Sequence, residues 1–172
     1  MKKFILSVMV SFVALVASAQ VYVGGSFTFA HDGESKVNIF EIAPEVGYSF
    51  NDMWGIGGEI AFSHMNPEAG SNLNAFSINP YARFTYLRKG IMSLFLDGSL
   101  GFSTAKYKDY GDAENGVKIG IEPGVAINAT EHFGFVAKYG FLGYRDKYAF
   151  GSSLSGLDFS PSSLSFGFYY TF

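Results

Sequence analysis

Cysteine is absent from all 172 residues, which excludes a disulfide framework and a thiolate metal site. Charge is scarce as well: Asp, Glu, Lys and Arg supply 16% of the chain, against about 25% in an ordinary soluble domain. No apolar run reaches the roughly 20 residues that a membrane-spanning helix needs, so a helical membrane protein is excluded. Proline occurs 5 times and with no collagen-like period, and Leu, Ile, Val and Phe are plentiful, which removes fibrous and disordered classes. What is abundant is aromatic and small: 19 Phe, 11 Tyr and 21 Gly, beside a single Trp. These proportions point to one β-rich domain.

The N-terminus reads as a secretory signal. Lys2 and Lys3 precede an apolar segment over 4–16, and Ala17-Ser18-Ala19 supplies the small-residue cleavage pattern. We therefore expect a signal peptide over 1–19 and one barrel domain over 20–172. Without the two leading lysines, 10 basic residues face 15 acidic ones, a net charge of −5. That sign argues against nucleic acid as a partner.

Beyond the signal, the apolar pattern has period 2 almost throughout, the spacing of a two-faced strand. At the C-terminus Leu164, Phe166, Phe168, Tyr170 and Phe172 alternate with Ser163, Ser165, Gly167, Tyr169 and Thr171. Eight strands are predicted, over 21–30, 40–50, 54–64, 74–87, 91–107, 116–129, 133–144 and 157–172. Short connections at 51–53, 88–90 and 130–132 alternate with longer polar ones at 31–36, 65–71, 108–114 and 145–156. An even strand number with short turns on one side and long loops on the other is the pattern of a transmembrane barrel. Pro44, Pro80, Pro123 and Pro161 recur once per hairpin. Because Pro cannot donate to a ladder, each is read as a bulge.

Alternation leaves open which face points outward, and a lipocalin-like barrel would turn the apolar face inward. Three features favour the opposite. The polar face is dominated by small Gly, Ser and Ala, which suits a narrow lumen. Aromatics gather beside the short turns (Tyr48, Phe50, Trp54, Phe84, Tyr86, Phe133, Phe135, Tyr170 and Phe172), as in an interfacial girdle. Finally, the chain ends on an aromatic residue. The expected fold is an all-β, transmembrane, eight-stranded antiparallel up-and-down barrel.

The segment Gly-Tyr-Ser-Phe-Asn-Asp-Met-Trp-Gly-Ile-Gly-Gly-Glu over 47–59, the strand prolines, the signal and the terminal Phe172 resemble the outer-membrane β-barrel domain family typical of Bacteroidota. That family is similar in architecture to small OmpX-like and OmpA-like eight-stranded barrels. The resemblance covers 20–172 and implies residence in the cell outer membrane, with adhesins and structural barrels among the members. Phe168, Tyr170 and Phe172 resemble the terminal signal read by the outer-membrane assembly machinery, an implied partner. A periplasmic domain after Phe172 is not expected, nor with it an OmpA-style cell-wall anchor.

With the apolar face outward, Glu41, Glu45, Glu59, Arg83, Asp97, Lys118, Glu122 and Lys138 face the lumen. Glu45, Glu59, Arg83, Asp97, Glu122 and Lys138 lie roughly six to eight residues from the short-turn end, so they are expected to form one layer. An eight-stranded barrel is just wide enough to be filled by side chains, so this layer reads as a non-conducting plug, with Tyr22, Tyr81 and Tyr169 as inward donors. A lipid A-modifying enzyme and a narrow porin-like channel are the alternatives. His31, Asp32, Ser63 and His64 lie near the loop end, but match no catalytic motif, and His132 sits at the other end. Asp109, Asp112 and Glu114 lack the calcium-loop spacing. No catalytic, metal or cofactor site is expected. The leading function is structural and loop-mediated, adhesion-like surface binding. Lys106, Lys108, Arg145 and Lys147 would meet lipopolysaccharide phosphates, and Tyr148 and Phe150 would supply apolar contact area. A monomer is expected.

Overall fold

The computed structural model describes residues 21–32, 37–67, 72–107, 113–150, 153–160 and 163–172. Antiparallel strands follow one another around a closed eight-stranded barrel: β1 (Val21–Asp32), β2 (Val37–Ser49), β3 (Trp54–Pro67), β4 (Leu73–Lys89), β5 (Met92–Tyr107) and β6 (Ala113–Asn128). The seventh barrel strand comes in two pieces, β7 (Phe133–Tyr139) and β8 (Phe141–Asp146). So does the eighth, as β9 (Leu154–Asp158) and β10 (Leu164–Thr171). Pairing of β10 with β1 closes the cylinder.

The period-2 pattern becomes two faces. Val23, Phe27, Ile42, Val46, Ile56, Phe62, Leu100, Phe102, Ile119, Phe135 and Phe168 are exposed on the outside. Ala43, Ser63, Ser77, Asn79, Ser99 and Ser103 are buried inside. On β3 the outward apolar run extends from Trp54 to Phe62 and then gives way to His64 and Asn66. That length matches the 9–11 residues with which a tilted strand crosses a bilayer. The strands continue past this band. Outward-facing Asn66, Asn74, Lys106 and Asn115 form a polar crown on the side away from the short turns. Strands therefore run further toward the loops than alternation predicts, because the crown's outward residues are polar and the contrast between faces fades there.

Tight turns fix the other end. Asn51 Oδ1 accepts from the backbone N–H groups of Met53 and Trp54, both at 2.9 Å. Thr130 Oγ1 accepts from Phe133 N at 2.9 Å. Gly90, at φ 59°, supplies the left-handed residue that the β4–β5 turn requires. Aromatic contacts ring this end, with Trp54 against Phe84 at 4.8 Å and Tyr170 against Phe172 at 5.2 Å between centroids.

The prolines behave differently from the bulge reading. Pairing of β2 with β3 keeps one register on both sides of Pro44, and β4 with β5 does so around Pro80. Each costs rungs without inserting a residue, because an outward Pro only withholds its missing N–H from one neighbour. The β4–β5 register shift lies instead between Thr85 and Leu87. Pro123 does sit at a shift: Ile121 opposes Leu142 while Gly124 opposes Lys138, so the partner strand holds one extra residue. That strand is jointed at Gly140, whose φ is +94°. Beside it, Phe141 pairs with Asp158 and Tyr139 with Leu164, so the residues flanking Gly140 have partners six positions apart in sequence. Phe159 folds over the joint, its ring 5.7 Å from Tyr139, whose hydroxyl donates to Phe159 O at 2.6 Å. Pro161 lies outside the described residues.

Closure is uneven. Pairing of β1 with β10 runs from Tyr22 opposite Thr171 to Phe27 opposite Phe166, whereas β1 pairs with β2 along its whole length. Among the described residues, β9 pairs with β8 only.

Candidate functional site

Four inward aromatics project into the half of the lumen beside the short turns, and each lies across a glycine directly opposite on the next strand. Tyr22 faces Gly47, Tyr81 faces Gly57, Phe95 faces Gly124 and Tyr169 faces Gly134. A Cβ on any of these glycines would strike the ring. Glycine is required here for ring clearance, a cross-strand pairing that also stabilises strand glycines.

Above these rings sits a network of charge. Asp97 is fully buried and takes a bidentate pair from Arg83, Nε to Oδ1 at 2.7 Å and Nη2 to Oδ2 at 2.8 Å. Lys138 Nζ reaches the same carboxylate at 3.1 Å and Glu45 at 4.0 Å. Tyr81 Oη donates to Glu45 at 3.2 Å and lies 2.8 Å from Tyr22 Oη. The Arg83 guanidinium packs 4.1 Å from the Phe95 ring centroid, so the aromatic floor also supports the cation. Burying such charges is tolerable only where partners and hydrogen bonds replace water, and Asp97 receives both cations.

Further out, Lys118 Nζ pairs with Glu122 at 2.6 Å. Glu59 accepts from Asn79 Nδ2 at 3.0 Å, and Glu41 from Ser63 Oγ at 2.5 Å. All eight charged residues read from the sequence as inward thus face the lumen. Arg83, Asp97, Lys138 and Glu45 are joined in one network, while Glu59, Glu122, Lys118 and Glu41 continue toward the loop end.

The network separates two cavities. The outer one, of about 390 Å3, is bordered by Ser26, Glu41, Glu59, Lys118, Arg145 and Tyr148. The inner one, of about 330 Å3, is bordered by Arg83, Arg88, Asn128, His132 and Tyr169. Arg83 borders the inner space and Lys138 the outer, with Asp97 held between them.

Two residues assigned from sequence to surface binding belong elsewhere. Arg145 turns inward and pairs with Asp158 at 2.8 Å, over the Phe141 ring. Tyr148 enters the lumen, where its hydroxyl donates to Asn79 Oδ1 and its ring centroid lies 5.1 Å from Lys118 Nζ. The physical reason is shared: each finds inside the barrel a partner that loop solvent would only dilute. Lys106 and Lys147 are exposed, the latter paired with Glu114 at 2.7 Å, a contact that raises the Lys147 ammonium above its ordinary range. Lys108, Asp109 and Asp112 lie outside the described residues, as do the side chains of His31, Asp32 and Phe150. Ser63 points inward while adjacent His64 points outward, its Nδ1 2.8 Å from Asn74 Oδ1. His132 lies at the opposite end, Nδ1 2.9 Å from Thr171 O. At that end Phe168, Tyr170 and Phe172 are exposed outward, and Phe172 N donates to Val21 O at 3.1 Å across the closure.

Residues 4–172 match the family described as outer membrane protein beta-barrel domain. The chain belongs to that family. Its residence is accordingly the outer membrane, with the aromatic outer face in lipid. Among solved structures this family member is similar to Neisserial surface protein A, at 17% identity and a TM-score of 0.57, over 88% of this chain and 96% of that one. It is also similar to the outer membrane protein OprG from Pseudomonas aeruginosa, at 11% identity and a TM-score of 0.53, over 89% and 96%. At such identities the likeness shows the fold alone. No curated protein matches the chain.

Sequence reasoning missed the infolded Tyr148 and the aromatic–glycine pairs. The available signal was the coincidence of inward glycines on adjacent strands, Gly101 on β5 and Gly116 on β6, which leaves room at one level of the lumen. Seeing it requires the hairpin register.

Proposed function

We propose that this protein is a non-conducting, non-enzymatic outer-membrane barrel that meets its partner at the crown and loops, in an adhesion-like manner. The observation that supports this most is the Arg83–Asp97–Lys138–Glu45 network, which crosses the lumen between its two cavities and leaves the outer rim as the working surface. Lys106 and Lys147 on that rim offer cations to lipopolysaccharide phosphates. Phe168, Tyr170 and Phe172 serve the assembly machinery, a signal peptide over 1–19 delivers the chain, and the barrel is a monomer. Ser63 and His64, on opposite faces of one strand, cannot act as a nucleophile–base pair, which requires contact at about 3 Å.

The experiment compares cells carrying the full-length protein with cells carrying a variant whose 108–112 and 151–153 segments are shortened, for adhesion to host-cell and matrix surfaces. Loss of adhesion with the barrel still present in the outer membrane supports the reading. Equal adhesion by both, or a protein-dependent change in the mass of lipid A, overturns it.

A further inference from the structure

Beyond β8 the chain turns into the barrel at a cost in backbone conformation. Lys147 and Ala149 hold φ at 49° and 43°, the left-handed region that residues with a Cβ seldom occupy. Between them Tyr148 projects into the lumen. Contacts that hold the segment there include the Tyr148 hydroxyl's bonds with Asn79 and Ser77, the Lys118 ammonium 5.1 Å from the ring centroid, and Ala149 N donating to Ser103 Oγ at 3.0 Å. Space has been left for it on the facing strands. A Cβ on Gly101 would come within 2.7 Å of the Tyr148 ring, and one on Gly116 within 2.6 Å of its Cα. Next to the ring lies the 390 Å3 cavity, which Tyr148 and Ala149 help to border.

We propose that residues 147–149 form a latch, with Tyr148 as an internal occupant that shuts the outer cavity from the cell exterior and leaves when the segment relaxes. Opposing tendencies make it bistable. The polar and cation–ring contacts favour insertion, and the two left-handed residues favour release, so a modest bias moves the balance. Local strain maintained by surrounding contacts is characteristic of such switching segments.

The absence of native cysteine makes access directly measurable. Ser26 borders the cavity from β1, and Ser26→Cys introduces the single thiol of the protein. Labelling by a small membrane-impermeant maleimide is then timed on intact cells. With the latch intact, labelling is slow. Tyr148→Ala accelerates it at least tenfold, and Tyr148→Phe, which removes only the hydroxyl's hydrogen bonds with Asn79 and Ser77, accelerates it less. Ala149→Gly, which relieves strain at a positive φ, slows it severalfold. Resistance to cold SDS, followed by a band shift on boiling, verifies that each variant is a folded barrel. Equal rates in the parent and Tyr148→Ala overturn the proposal, as does acceleration or no change in Ala149→Gly, a substitution that the backbone accommodates without unfolding.

Discussion

The two halves of this barrel obey the same alternation and are built differently. In the inner half, tight turns join the strands, β10 pairs with β1 rung by rung, and aromatic rings lie over glycines beneath a buried guanidinium–carboxylate pair. The outer half has a jointed seventh strand, a break in pairing between Asp158 and Leu164, and a tyrosine borrowed from the following segment. Stability in a folded protein is unevenly distributed, and functional segments are drawn from its weaker parts. Here the division falls across the middle of the lumen, at Asp97.

The comparison is broken most severely at that boundary. Arg83→Ala leaves the fully buried Asp97 with Lys138 as its remaining cation, a loss expected to cost about 3–5 kcal/mol and to be read as a lower urea midpoint in detergent. An unchanged midpoint would mean that water enters the network. Within the inner half, Gly57→Val forces the Tyr81 ring off its glycine and breaks its hydroxyl contacts with Tyr22 and Glu45. Overpacking of this kind costs about 1–3 kcal/mol, and the same denaturation series measures it. Arg145→Ala removes a pair with Asp158 that solvent partly screens, so its cost should be smaller, roughly 1–2 kcal/mol. A loss equal to that of Arg83→Ala would erase the distinction between the halves. Lys106→Ala, on the exposed crown, should stay within about 0.5 kcal/mol.

Strand number, the outward apolar face and the inward charges were legible because each is a property of period 2, which the sequence carries residue by residue. Glu45, Arg83 and Asp97 could be assigned to the lumen by parity alone. What parity cannot express is the number of residues opposing one another across neighbouring strands. The break at Gly140, where the partner register jumps from Asp158 to Leu164, is a mismatch of that sort, and the bulge expected at Pro161 lies outside the described residues. Tyr148 was misplaced for a related reason: it follows the end of β8, where alternation no longer dictates direction and Asn79, 69 residues away, becomes the deciding neighbour.

The short rung series between β1 and β10 also bears on the order in which the barrel forms. Every other strand meets its neighbour through a hairpin or a joint close in sequence, so those contacts carry little loop-closure entropy. The seam alone unites the two ends of the domain, and contacts of such high sequence separation form late and slowly. Until they do, β1 and β10 are open edges, templates for pairing with any other chain at hand. A seam that among the described residues runs from Val21 to Phe27 thus makes closure the slow step of barrel formation, and the interval before it the one in which the open edges are most exposed.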